Sequence, residues 1–377
     1  MARQFFRKAS KTIFIASNLV LAISLIVGCY GGLIQKQSFW FTGLFTLASF
    51  YFLLLLTGFL IFWLFVRAKF ALISAISILV CFPPLRDLVK LRLKDGFSVA
   101  KKKDALRVMS WNVEHFEIRS HNRNPEIKAA MLATINEMQP DIACFQEMVA
   151  SENDKRAINY LPDFLQELGL PYYHYAYNPK LDYDSKHHFG IIIMSKYPII
   201  NSKTCSYPPH DYNSIFQYAD MVKGTDTFRV YNIHLQSLKF TASNKSYIND
   251  PSINDQADLE KSKSVISKLK TGFIKRFRQS NHILNSIEQS PFPVLVCGDF
   301  NDVPNSYAYY TIGKGLKNAF SEKGSGIGNT FDGIAPTLRI DQIFTDPRFE
   351  IIQYKRIRKK LSDHFPLVTD LQWDNKE

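Results

Sequence analysis

The sequence predicts an α/β domain of helix-covered sheets behind an N-terminal helical membrane module. Three observations carry that expectation. Two uncharged apolar runs near the start of the chain each exceed the ~20 residues that cross a bilayer core. From Leu106 onward, short Val- and Ile-rich segments alternate with amphipathic helical stretches, as in sheets whose faces are covered by helices. The ends of those segments carry Asn, Glu, His and Asp, where strands open into loops and ligand sites gather. At 377 residues, 46% of them hydrophobic and 21% charged, the chain can hold one large domain plus an accessory region, and it does not read as disordered.

The apolar runs are Ile13–Ile34 and Ser38–Val66. A cleaved signal peptide is disfavoured, because no small-residue cleavage site precedes a soluble stretch and a second apolar run follows at once. A third run, Phe70–Leu85, is closed by Pro83-Pro84 and is short for a span, so an interfacial or re-entrant helix is the competing reading. Arg3, Arg7, Lys8 and Lys11 favour a cytoplasmic N-terminus, and Arg67 and Lys69 suit a cytoplasmic loop after the second run. Three spans then place the rest of the chain outside the cytoplasm. Against this, Arg86, Lys90, Arg92, Lys94 and Lys101 to Lys103 would prefer the cytoplasm, which two spans would provide. The charges alone therefore leave the side open. Residues 86–103 read as a basic juxtamembrane linker, either an amphipathic surface helix or a plain solvated tether. The expected division is 1–85 membrane module, 86–103 linker and 104–377 catalytic domain.

The net charge of +12 invites a nucleic-acid reading. Its distribution argues otherwise. Through Arg107 there are 15 Lys and Arg against 3 Asp and Glu, and the remainder carries 31 of each sign. The basic excess belongs to the membrane-flanking part, where orientation and anionic headgroups explain it better than a DNA footprint does. Cys29, Cys81, Cys144, Cys205 and Cys297 show neither metal-finger spacing nor a disulfide pattern.

In the second part, a strand is expected over Leu106–Trp111, ending in Asn112-Val113-Glu114. A helix follows over Lys128–Met138, then a strand over Asp141–Phe145 ending in Gln146-Glu147. Ile158–Leu168 reads as a helix stopped by Gly169. Strands over Phe189–Met194 and Thr227–Ile233 come next, the latter ending at His234. A long helix is expected over Asp255–Ser290, then a strand over Val294–Cys297 ending in Gly298-Asp299-Phe300-Asn301. Leu338–Phe344, Ile351–Ile357 and Pro366–Leu371 close the series, with Asp363 and His364 just ahead of the last. Carboxylates and amides at strand ends suit a hard divalent cation, and imidazoles suit a neighbouring phosphate.

Six segments in order, Val108 to Val113, Pro140 to Glu147, Asn232 to Leu235, Gly298 to Asn301, Arg339 to Phe344 and Ser362 to Pro366, make the chain resemble the endonuclease/exonuclease/phosphatase (deoxyribonuclease I-like) superfamily. The resemblance points to a bacterial, membrane-anchored member and hence to a multi-pass protein of the inner or plasma membrane. It implies a four-layer α/β/β/α sandwich and a phosphoesterase dependent on Mg²⁺, with Mn²⁺ as a substitute. In that pattern Glu147, Asn112 and Asp363 serve the metal. Asp299 orients or deprotonates the attacking water, and Asn301 steadies the pentacovalent phosphorane. His364 contacts the scissile phosphate with Asp341 fixing its tautomer, and His234 is a general acid or phosphate contact. Extended backbone would turn Asp363 and His364 to opposite sides. His115, His187, His188 and His210 are weaker candidates.

Fold does not choose among the superfamily's substrates. The neutral catalytic half and the membrane anchor favour a lipid-linked phosphate, with membrane lipids as partners. The alternatives are a tethered nuclease acting on DNA or RNA, and a catalytically silent binding domain. The nuclease finds support in Lys261, Lys263, Lys268, Lys270, Lys275, Arg276 and Arg278 on one expected helix, which otherwise form a solvated face. Retention of every motif carboxylate argues against a silent domain. Nothing in the sequence points to a protein partner.

Overall fold

The first apolar residues fold as helices because only internal hydrogen bonding satisfies a backbone in apolar surroundings. In the computed structural model, which describes residues 2–92, 96–114, 126–151, 161–177, 187–206, 215–252 and 255–373, they form α1 (Ala2–Tyr30), α2 (Thr42–Val66), α3 (Ala68–Val80) and α4 (Phe82–Leu88). The segment Phe6–Leu33 and α2 are long and apolar enough to cross a membrane. α3 and α4 meet at a 66° bend, so the third run is a short helix plus a turned one. Pro83 and Pro84 explain the bend: they fit the first turn of α4, but they cannot donate the backbone N–H that would continue α3.

Contacts fix the order of the first three helices. The Ser74 hydroxyl donates to Asn18 Oδ1 at 2.8 Å, and Tyr30 OH donates to the Val80 carbonyl at 2.6 Å. The rings of Trp63 and Phe70 lie 5.0 Å apart. α3 therefore starts beside the C-terminal part of α2, returns along α1, and ends level with Tyr30. The N-terminus and the segment after α4 lie at opposite ends of this bundle.

The remaining elements are β1 (Leu106–Asn112), α5 (Glu126–Met138), β2 (Ile142–Ala150), α6 (Leu161–Leu168), β3 (Tyr172–Tyr177), β4 (His188–Ser195), β5 (Ile199–Ser206), β6 (Ile215–Lys223), β7 (Asp226–His234), α7 (Ala242–Asn249), α8 (Gln256–Glu288), β8 (Val294–Asp299), α9 (Tyr307–Ile312), β9 (Lys317–Asn318), α10 (Ala319–Lys323), β10 (Asp341–Thr345), β11 (Phe349–Arg356) and β12 (Leu367–Trp373). They build two six-stranded sheets, ordered β11-β12-β1-β2-β4-β3 and β5-β6-β7-β8-β10-β9. Alternate residues of β1 and β2 explain the layering. Val108 and Cys144 face Val230 and Cys297 of the other sheet, while Met109, Trp111 and Phe145 face Met131, Ile135 and Phe164 of α5 and α6. On the far side, Tyr231, Ile233 and Val296 pack against Ile283 of α8 and Tyr309 of α9. The expected four-layer α/β sandwich is therefore present.

Four strands, β3, β5, β6 and the two-residue β9, were not expected. β5 is an edge strand with exposed polar side chains, so it lacks apolar alternation. Leu338–Ile340 is not strand, and β2 continues past Phe145 through Glu147. Residues 158–160, His115 and His210 lie outside the described residues.

The linker differs from both of its expected forms. Its described residues beyond α4, 89–92 and 96–103, form neither a surface helix nor a free tether but pack on the sandwich. Lys90 and Gly326 exchange backbone hydrogen bonds at 3.0 and 2.8 Å, and Ser98 N–H donates to Gln353 Oε1 at 2.9 Å. Lys101 pairs with Asp141 at 2.5 Å.

The bundle docks on the sandwich through its α1–α2 end. A Cβ on Gly32 would meet the Asn305 carbonyl oxygen at 2.1 Å, so this close approach requires glycine. Asn305 Nδ2 donates to the Pro84 carbonyl at 3.0 Å, and Tyr310 OH to the Cys29 carbonyl at 3.1 Å. Arg339, 1% exposed, donates to the carbonyls of Asp87, Leu88 and Ile327 and lies 3.7 Å from the centre of the Phe320 ring.

Candidate active site

The motif residues converge because their strands end at one edge of both sheets. β1 and β2 are parallel neighbours with Asn112 opposite Gln146. β7 and β8 are parallel neighbours with His234 opposite Asp299, and β10 runs antiparallel to β8 with Asp341 opposite Asp299. β12 pairs antiparallel with β1, which brings the preceding Asp363-His364 to the same edge. Hydrogen bonds stitch the sheets together here. Gln146 Nε2 donates to Asn232 Oδ1 at 2.7 Å, and Asn232 Nδ2 to the carbonyls of Phe145 and Ile192 at 3.0 and 2.8 Å.

Asp299 is the centre of the cluster and is 1% exposed. Its Oδ1 accepts the Asn301 N–H at 2.7 Å, and its Oδ2 accepts from Asn112 Nδ2 and Asn301 Nδ2 at 3.2 and 3.1 Å. Burial pushes its pKa up to about 7, eased by His364 and reinforced by Asp341. The preceding Gly298 has φ +147°, and a Cβ there would meet the Ile233 carbonyl oxygen at 2.0 Å. Only glycine lets β8 run this close to β7 before the chain turns into the site.

Glu147 occupies a bulge of β2 with φ +53°, costly for a residue with a side chain, on the order of 1–3 kcal/mol. Its carboxylate comes within 3.6 Å of His234 Nε2, as does Asp299 Oδ2. Burial raises its pKa to about 8, opposed by His364 and assisted by the like charges of Asp363 and Asp299.

His364 Nδ1 faces Asp341 at 2.9 and 3.1 Å. Its Nε2 lies 3.8 Å from both Asp299 Oδ2 and Asp363 Oδ1. Burial alone would lower its pKa, but Asp341, Asp299 and Asp363 outweigh that and raise it well above the ordinary imidazole range. The Trp111 indole donates to its carbonyl at 2.9 Å, and the Phe331 ring lies edge-on to its imidazole at 5.0 Å.

One correction follows. Asp363 and His364 do not point apart, because the chain is bent from Leu361 to Asp363 rather than extended. His234, expected as a general acid or phosphate contact, has a fully buried side chain whose Nε2 lies 3.6 Å from Glu147 Oε1 and Asp299 Oδ2. Asn112 directs its amide nitrogen at Asp299, while its oxygen accepts the Glu114 N–H at 3.1 Å. His187 precedes β4 and His188 begins it, where the His188 ring stacks on Tyr177 at 4.3 Å, outside the lining of this site.

Sequence reasoning gave no role to Glu114 or Thr330. The Glu114 carboxylate accepts the Asp363 N–H at 3.2 Å, and the Thr330 hydroxyl oxygen accepts the Ile340 and Asp341 N–H groups at 2.9 and 3.0 Å. Glu114 had a signal in the strand-end triplet Asn112-Val113-Glu114. Thr330 lies in a loop and had none.

By spacing alone, Asp299, Asp341 and His364 could hold a metal, with ligand atoms within 4.8 Å of one another. A positively charged His364 already bonded to Asp341 is a poor ligand. The better fit is the opposing group of buried Asp299 with part-exposed Glu147 and Asp363, carboxylates whose mutual repulsion a divalent cation would relieve.

A cavity of about 450 Å³ opens from the cluster. Glu147, Asp299, Asn301, Asp363 and His364 line one end. Ile248 of α7, Val265 and Leu269 of α8, and Leu47 and Tyr51 of α2 line the other. Lys239 and Lys245 also border it.

Comparison with known proteins follows these two regions. The model of the Endonuclease/Exonuclease/phosphatase family matches residues 109–364, and a model described only as a domain of unknown function matches residues 11–88. No curated protein sequence matches the chain. Among solved structures, a humanized D. rerio TDP2 with 14 mutations superposes with a TM-score of 0.50 at 16% identity, covering 72% of this chain and 100% of that one. A Leptotrichia buccalis endonuclease/exonuclease/phosphatase family protein gives 0.49 at 17%, covering 71% and 100%. The human Nocturnin catalytic domain gives 0.49 at 16%, covering 73% and 96%. At 16% identity the likeness to the TDP2 structure is one of fold.

Proposed function

The chain belongs to the endonuclease/exonuclease/phosphatase family of phosphoester hydrolases, and from that premise we propose that it cleaves a phosphoester or pyrophosphate carried on a membrane lipid. The observation that supports this substrate class is the cavity. Its polar end holds the candidate catalytic residues, and its other end is walled by Val265, Leu269, Leu47 and Tyr51. A phosphorylated amphiphile matches both ends, with Lys239 and Lys245 at the border to meet its phosphate. The equal numbers of acidic and basic residues beyond Arg107 support the same choice.

In this reading Asp299 accepts a proton from the attacking water, and Asn301, whose Nδ2 donates to Asp299 Oδ2 and the Leu235 carbonyl, steadies the reacting phosphoryl group by holding that carboxylate in place. The charged His364, oriented by Asp341, donates from Nε2 to the phosphoryl group. Glu147 and Asp363 would hold a divalent cation such as Mg²⁺, which when bound offsets charge on the phosphate oxygens. His234 and Asn112 position the carboxylates from behind. The division into a membrane module through residue 85, a linker to 103 and a catalytic domain from 104 accords with these roles, although the linker is packed rather than free.

For the side of the membrane, we favour the extracytoplasmic face. The opposite placement of the N-terminus and the catalytic region on the bundle supports an odd number of crossings, and the basic N-terminus supports a cytoplasmic start. The contrary basic cluster after α4 is partly engaged by the domain, as in the Lys101–Asp141 pair.

The test uses the full-length protein in detergent with Mg²⁺, offered a polyprenyl pyrophosphate and supercoiled plasmid in parallel, with Asp299→Ala as control. The expected result is release of phosphate from the lipid that disappears in the variant. Asp299-dependent plasmid nicking with the lipid untouched would replace this reading with a tethered nuclease.

A further inference from the structure

The cavity's apolar end is made by two parts of the chain far apart in sequence. Gly43, near the start of α2, faces the Phe273 ring of α8. One and two turns further along α2, Leu47 and Tyr51 line the cavity. One and two turns back along α8, Leu269 and Val265 line it from the other side. The two helices thus run past each other in opposite senses, touching at Gly43 and Phe273 and separated beyond by the groove. Tyr51 is nine positions into α2, about 13 Å along the axis at 1.5 Å per residue. The groove therefore extends from the carboxylates to a level well inside the apolar length of α2. Tyr51, which lines the groove, is 43% exposed, and α8 also carries the exposed apolar side chains Leu259 (42%) and Ile266 (46%). At the level of the α1–α2 loop, Lys270 of α8 sits 5.3 Å from the centre of the Trp40 ring, a pairing typical of the headgroup region.

We infer that α2 is a wall of the substrate site as well as an anchor, and that the aliphatic chain of the substrate lies between α2 and α8, its length and shape read by Leu47 and Tyr51. This rests on the lipid-phosphoester reading above and goes further by assigning the lipid's path and the residues that select it. The chain slides in from the bilayer along α2, so the phosphate reaches Asp299 and His364 while the tail stays in apolar surroundings. Transfer of the whole tail into water, whose cost grows with its apolar area, is avoided.

The experiment compares a short, water-soluble isoprenyl pyrophosphate with a long, membrane-resident one, using full-length protein in phosphatidylcholine vesicles. The readout is the ratio of kcat/KM for long over short substrate. Leu47→Trp, which fills the groove, should lower the ratio about tenfold, the size of one lost apolar contact set. Tyr51→Ala, a truncation at an exposed position, should lower it in the same direction. Ile61→Trp, on an exposed face of α2 away from the cavity, should leave it unchanged. An unchanged ratio in both groove variants, with the lipid still hydrolysed, would overturn this inference and leave the lipid-phosphoester reading standing. Failure of the wild type on both isoprenyl substrates, with Asp299-dependent plasmid cleavage, would overturn both.

Discussion

The two ends of the cavity are built in different ways. The polar end rests on the ends of five strands and the bend before a sixth, held by hydrogen bonds of 2.7–3.2 Å among Asp299, Asn301, Asn112, Gln146 and Asn232. The apolar end rests on helices, one of them from the membrane bundle, and contacts there are non-directional. Strand ends fix atoms to within a few tenths of an ångström, as bond making requires. Helix faces supply area, which suffices to choose a lipid tail. Substitutions at one end should move kcat, and those at the other should move selectivity.

The most severe way to break that division is Asp299→Asn. Turnover of every substrate should fall ~10³-fold, within the range for a lost general base. The thermal midpoint should hold or rise, because the amide removes a buried carboxylate whose ionisation is disfavoured. A matched loss of folding, seen by calorimetry, would instead make Asp299 a scaffold. Next in size is Asp341→Asn, with an expected ~10²-fold loss in kcat, the upper end for an outer partner of a histidine. Its particular signature is in the pH–rate profile. Asp341 helps raise the His364 pKa, so its neutralisation should move the His364 limb to lower pH. A profile of unchanged shape would remove His364 from the reaction.

The smallest effect concerns stability without metal. Glu147 and Asp299 ionise in the folded protein only near pH 8 and 7, against ordinary values of 4.5 and 3.8. The folded state then binds more protons than the unfolded state between those limits, so stability falls as pH rises from about 4 to 8. In chelator the midpoint should drop across that window, by roughly 2–4 °C for each kcal/mol lost. Mg²⁺ should flatten the slope by favouring the ionised carboxylates. Equal slopes with and without Mg²⁺ would exclude Glu147 and Asp299 from a metal site.

Much of the polar end was legible because a motif at a strand end states both residue type and place. Gly298-Asp299-Phe300-Asn301 is such a case, and the glycine proves to be required by the nearness of Ile233. Depth was not legible. His234 ends a strand just as Asp299 does, yet it is covered by Asp299 and Glu147, and alternation along a strand gives a side chain's face without giving what lies over it. The bulge that aims Glu147 was hidden for a similar reason, since its positive φ falls on a residue that does not advertise one. The apolar end was wholly illegible. Leu47 and Tyr51 look like any lipid-facing residues of a span, and only the docking of Gly32, Asn305 and Arg339 brings α2 over the site.

That docking through Arg339 has a consequence for assembly. Its guanidinium is buried and takes two of its carbonyl partners from Asp87 and Leu88, about 250 residues earlier in the chain. Those partners are synthesised and inserted with the bundle long before the arginine exists. The strand that follows, bearing Asp341, can settle only when Arg339 finds them, because an unpaired buried charge costs several kcal/mol. The active site would then be the last part to form, completed only in chains whose membrane helices are already in place. Fragments cut after α4 would fold with only the Ile327 carbonyl left to that arginine.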